Sequence, residues 1–150
     1  MKNFFLVIVF FVLSSCGYKI ADNLDNYNFY ISKYELNGDD KINRILDKNF
    51  TRLQKNNNSP KIYEINSTSK IDVYTTSKDI SNVALTFKMI ISIEIEVLEN
   101  GEMINRTEFT EKTDYSTAES KFELKQYEDI LLKNLVDQIV FKINSYLGSI

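Results

Sequence analysis

The stretch from Val83 to Leu98 limits the possible folds more than any other part of this 150-residue chain. Val83, Leu85, Phe87, Met89, Ile91, Ile93, Ile95 and Val97 occupy alternate positions, and Ala84, Thr86, Lys88, Ile90, Ser92, Glu94, Glu96 and Leu98 lie between them. Side chains alternate across a strand, so this period predicts one long β-strand with an apolar face and a largely wet face. A wet face argues against a parallel sheet covered on both sides. It points to an antiparallel sheet covered on one side only.

Glu99-Asn100-Gly101 turns the chain, and the residues that follow set the register. A two-residue loop would oppose Val97 to Ile104, Ile95 to Arg106 and Ile93 to Glu108, which brings charge into the core. A three-residue loop with Gly101 in the left-handed region opposes Val97 to Met103, Ile91 to Phe109 and Leu85 to Tyr115. The second register keeps the face apolar and is the expected one. It makes Glu102 to Tyr115 the returning strand. On the wet face it sets Lys88 directly opposite Lys112 and Arg106 opposite Glu94.

The remaining elements fall around this hairpin. Tyr27 to Leu36 reads as a first strand, ended by Asn37-Gly38. Asp39 or Asp40 is placed to cap a helix whose apolar stripe is Ile42, Ile45, Leu46, Phe50 and Leu53. Asn56-Asn57-Asn58-Ser59-Pro60 reads as a loop. Lys61 to Thr76 is a strand with a polar middle, Ser67-Thr68-Ser69, where a bend or weak pairing is expected. Lys78 to Asn82 is a loop. Ser116-Thr117-Ala118-Glu119 fits a capping box. The helix it opens carries Leu124, Tyr127, Leu131, Leu135, Ile139, Ile143 and Leu147, with Gly148 as its stop. The order is β-α-β-β-β-α. The expected fold is a two-layer α+β domain over residues 27–150, a four-stranded, mainly antiparallel sheet with two helices packed on one face.

A different chemistry governs the first 26 residues. Lys2 is followed by an unbroken apolar run, Phe4 to Leu13, and then by Ser14, Ser15 and Cys16, the one cysteine of the chain. This is the layout of a secretory signal. Ten apolar residues are about half of the ~20 needed to span a bilayer. Residues 16–26 are polar and aperiodic after the cysteine and read as a tether, with a reach of about 35 Å if extended.

Composition narrows the function classes. Losing residues 1–15 leaves 17 basic and 21 acidic residues, a net charge of −4. An acidic chain without a basic run is a poor nucleic-acid binder. There is no histidine, which removes the commonest general base and metal ligand. Glu94, Glu96, Glu108 and Glu111 supply carboxylates, but an open strand face offers no burial to set one apart as acid and another as base. Catalysis is therefore not expected, nor are metal ligands or a dissociable cofactor.

Leu13-Ser14-Ser15-Cys16 resembles the lipobox of bacterial lipoproteins. That resemblance implies cleavage between Ser15 and Cys16 and a covalent lipid on the Cys16 sulfur. Two or three acyl chains hold firmly where one is marginal. Gly17 after the cysteine, in place of Asp, implies delivery to the outer membrane. Together with Cys16-Gly17-Tyr18, the long alternating strand, the Asn-Gly turn, the Thr-rich return ending in Asp114-Tyr115-Ser116 and the helix carrying Leu131-Leu132, Leu135 and Gln138-Ile139, the chain resembles the LPS-assembly lipoproteins of the LptE family. The resemblance implies a lipid-anchored protein on the periplasmic side of the outer membrane. It would plug and help assemble the LptD β-barrel and bind lipopolysaccharide in transit. A phosphorylated glycolipid needs basic contacts. Lys88 and Lys112 are the first candidates and Arg106 a third, although Arg106 also suits a cross-strand ion pair with Glu94. A small lipoprotein adaptor of another envelope complex, serving barrel assembly, a secretin or a cell-wall contact, fits the same pattern.

Overall fold

The computed structural model describes residues 27–55 and 59–150. The signal segment, Ser15, Cys16, the 16–26 tether and Asn56 to Asn58 lie outside the described residues. Within them the order is β1 (Phe29–Gly38), α1 (Asp40–Leu53), β2 (Lys61–Lys78), β3 (Ala84–Glu99), β4 (Glu102–Ser116) and α2 (Lys121–Ser149). The four strands form one sheet in the order β1-β2-β3-β4. β1 runs parallel to β2, and the other two pairs are antiparallel. This is the α+β architecture expected, with both helices over one face of the sheet.

The alternation of β3 is expressed from Met89 to Val97, whereas Val83, just before the strand, and Leu85 are exposed, against the expected apolar face. Met89, Ile91, Ile93, Ile95 and Val97 are buried against the helices, while the residues between them are half-exposed. α1 buries Ile42, Leu46, Phe50 and Leu53, and α2 buries Leu132, Leu135, Val136, Ile139, Ile143 and Leu147. α2 is stable as much through this packing as through its caps.

The junction between β1 and α1 explains the serines of β2. Gly38 has φ +101°, and an added Cβ would sit 1.9 Å from Ser69 O. The Ser69 hydroxyl accepts from the Asp39 N–H (3.0 Å) and donates within reach of Asn37 O (3.1 Å) and Asn43 Oδ1 (2.8 Å). Asp39 then caps α1, its carboxylate accepting from the Lys41 and Ile42 N–H groups. The expected bend at Ser67-Thr68-Ser69 is therefore absent. Both serines are buried beneath the crossover, and the pairing with β3 stays regular there. The irregularities lie at Thr75 to Lys78 instead.

Two further expectations are corrected. α2 opens one box later than Ser116. Ser120 is the N-cap, and it exchanges hydrogen bonds with Glu123. Strand pairing takes Ser116 first, since β4 continues through it and the Thr117 N–H still bonds to Leu85 O (2.8 Å). Gly148 does not stop the helix, which runs to Ser149.

The largest correction concerns the hairpin register. Asn100 (φ 54°) and Gly101 (φ 80°) are both left-handed, as a two-residue turn of the primed type requires, and Glu99 pairs with Glu102. A bulge follows. Val97 pairs with Asn105 and Leu98 with Met103, so Ile104 is the extra residue. The bulge restores the parity that a bare two-residue turn would lose, and it keeps Phe109 and Tyr115 on the helix-covered side. Beyond the bulge, from Val97–Asn105 to Thr86–Ser116, every pairing is moved by two residues from the three-residue-loop register. Ile91 faces Glu111, and Tyr115 faces Phe87.

Candidate functional site

The uncovered face of the sheet holds all three described candidate residues. The shifted register changes what each of them meets. Lys88 sits between Tyr74 of β2 and Asp114 of β4, not opposite Lys112. Its ammonium lies 3.6 Å from the Asp114 carboxylate. Lys112 faces Ile90, one pair further along, and so lies diagonal to Lys88. No ion pair to Lys112 is formed among the described residues. Arg106 faces Glu96, yet its shortest bond is to Glu94 Oε1 (2.7 Å), with Glu96 Oε1 at 3.5 Å. The expected contact with Glu94 is therefore present, although the register that suggested it is not. Bonding to Glu94 and its charge push the guanidinium pKa up.

The open face has an acidic and a basic half. Near the turn, Glu94 directly faces Glu108, and Glu96 adjoins Arg106. Towards the other end lie Lys70, Lys88 and Lys112, with Tyr74 half-exposed beside them. Lys70 is tied to Asp72 (2.7 Å), whose bond raises its pKa. Tyr74 and Lys70 were not singled out from the sequence. Their place beside Lys88 follows from the β2–β3 register, which the two compensating irregularities at Thr75 to Lys78 leave unchanged.

The helix-covered side also carries paired charges. Glu111 of β4 is bound by Lys142 of α2. Lys41 at the start of α1 is bound to Asp129 of α2 (2.5 Å), which raises the lysine pKa and lowers that of the carboxylate. These two charges rim a cleft of about 240 Å³ floored by Ile71, Val73, Met89 and Leu132. Asp39, Lys125 and Glu128 line it too, so the cleft lies where the two helices meet the sheet. Tyr115 donates to Glu128 (2.8 Å); burial first, then this carboxylate, push its pKa up. Among the described residues no helix is long and apolar enough to cross a membrane.

Neither a family model nor a curated protein matches the sequence. Solved structures do match. Rare lipoprotein B from Shewanella oneidensis is 16% identical, covers 78% of this chain and 94% of its own, and superimposes with a TM-score of 0.59. The chain shares the fold of that protein. A minor lipoprotein from Acinetobacter baumannii gives 15% identity, 78% and 90% coverage and a TM-score of 0.53. Lipoprotein B from Nitrosomonas europaea gives 11%, 79% and 83%, and 0.56. At such identities the likeness concerns the fold, and each neighbour's domain is matched over most of its length.

Proposed function

We propose that this chain is a lipid-anchored outer-membrane lipoprotein, held through Cys16, that occupies and helps assemble an LptD-like β-barrel and binds lipopolysaccharide on its way to the cell surface. The observation that carries this reading is the joining of a lipobox-type segment to a domain with the fold of rare lipoprotein B. The uncovered sheet face supports it. That face is polar along most of its length, which suits the polar interior of a large barrel. β2 has 18 residues, about 60 Å of strand, against about 40–45 Å for a whole bilayer.

The lipopolysaccharide contact falls to the basic half of the open face. Lys112 brings an uncommitted charge, and Lys88 is held only by an exposed carboxylate at 3.6 Å. Arg106 contributes less, because two glutamates already bind it. Replacing Lys88 and Lys112 together by Ser should weaken binding to purified lipopolysaccharide roughly tenfold, as loss of charge-assisted contacts implies. The melting temperature should stay within a degree or two, since both side chains lie on the open face. Equal binding by the double variant and the wild type would remove this site from the proposal.

A further inference from the structure

β4 is an edge strand of 15 residues, and its free side has an order of its own. The Thr117 N–H bonds to Leu85 O, so Leu85 and Thr117 form a hydrogen-bonded pair. The register is unbroken from Thr86–Ser116 to Val97–Asn105. Alternating back from Thr117, odd-numbered residues of β4 turn their N–H and C=O groups towards β3, and even-numbered residues turn theirs outwards. Arg106, Glu108, Thr110, Lys112 and Asp114 are therefore the residues whose backbone is offered at the edge. The Arg106 N–H, facing out, is met only by the side chain of its neighbour Asn105 (2.8 Å). The same five side chains lie on the open face.

Their charges read plus, minus, neutral, plus, minus about Thr110. We propose that β4 is a pairing edge for a second copy of this chain, antiparallel to itself with Thr110 on the two-fold axis. Arg106 then faces Asp114 of the other copy, Glu108 faces Lys112, and Thr110 faces Thr110. All are pairs that offer their backbone groups outwards, as an antiparallel ladder requires. Charge selects this register over its neighbours. Sliding by two residues one way opposes Arg106 to Lys112, and the other way opposes Glu108 to Asp114; like charges directly opposite are destabilising.

The central pair carries the argument furthest. Glu108 and Lys112 form no ion pair with each other or with any other described residue. Glu108 also faces Glu94 directly across β3 and β4, a like-charge opposition that Arg106 offsets only on the Glu94 side. Lys112 of a second copy would sit beside that pair. Arg106 and Asp114 keep their bonds to Glu94, Glu96 and Lys88, and extend the network across the seam. An uncovered edge of this length invites pairing, and the charge order admits one partner in one register. The inference rests on this edge and its charge order and not on the barrel reading, and a copy seated inside a barrel would have β4 withdrawn from the pairing.

Cysteine cross-linking of the full-length lipoprotein in detergent tests it. In a hydrogen-bonded antiparallel pair, Cα atoms are about 5.5 Å apart, within disulfide range. Thr110→Cys should therefore give a disulfide-linked dimer on mild oxidation. Lys112→Cys should not, because its two copies stand four residues apart along the strands, about 14 Å. In the Thr110→Cys background, Lys112→Glu or Glu108→Lys should each cut the product at least tenfold. Combining both reversals should restore it, because each copy carries the exchange. Equal cross-linking at 110 and 112, or a yield insensitive to the single reversals, would overturn the proposal. So would capture of Thr110→Cys by a different chain with no self-product.

Discussion

Two glycines with positive φ have different constraints. Gly38 is hemmed in by the Ser69 backbone, whereas Gly101, in the turn, has nothing within 4 Å of an added Cβ. Gly101→Ala should therefore cost only the left-handed penalty, about 1–2 kcal/mol. Gly38→Ala should cost about 3 kcal/mol or more, because the clash is with backbone and cannot be relieved by a rotamer. Urea unfolding of the two variants checks this, and equal losses would contradict it. The dipeptide Asn37-Gly38 announced the strand end from sequence, but nothing local announced Ser69 as its neighbour 31 positions on. Tyr115 is a second case. Its raised pKa means the folded state favours the protonated phenol. The associated stability is present below the unfolded tyrosine value of about 10 and is lost as pH rises through the folded value. Glu128→Gln removes the charge but not the burial. The Tyr115 ring resonance should then titrate at lower pH than in the wild type while staying above the ordinary value. An unmoved midpoint would show that Glu128 plays no part.

Among the elements, strands with strong alternation were legible and their pairings were not. β3 was readable because burial on one face writes itself into every second residue. Its register with β4 was not, because Asn-Gly fixes the turn while the bulge at Ile104 fixes the parity, and an exposed Ile carries no bulge signal. Turn and bulge together set Lys88 against Asp114 and not against Lys112, which is why the basic pair expected from sequence is diagonal and not opposed. The start of α2 shows the same competition. Ser116 and Ser120 both head an Ser-x-x-Glu pattern, and strand pairing claims the first. Ser120→Ala should destabilise by about 1 kcal/mol, the usual worth of an N-cap. Ser116→Ala should change stability by less than about 0.5 kcal/mol, as an exposed strand-end position does. The reverse order in thermal unfolding would place the cap where the sequence first suggested.

At the scale of the whole molecule, the two-layer form follows from two apolar helix stripes and one apolar sheet face, all visible in the sequence. The parallel pairing of β1 with β2 follows from the helix between them, which returns the chain to the same end of the sheet before β2 begins. What the domain leaves uncovered is a polar face, a long charged edge and exposed apolar side chains such as Phe141 of α2. Those are the surfaces on which the proposed contacts with a barrel, a glycolipid or a second copy would fall. The most direct test of the functional reading is to solubilise outer membranes in mild detergent, capture the tagged lipoprotein and identify the bound proteins by mass. The account predicts a large LptD-like β-barrel in near one-to-one amount. Recovery of the lipoprotein without a barrel, or with a different envelope complex, would contradict it.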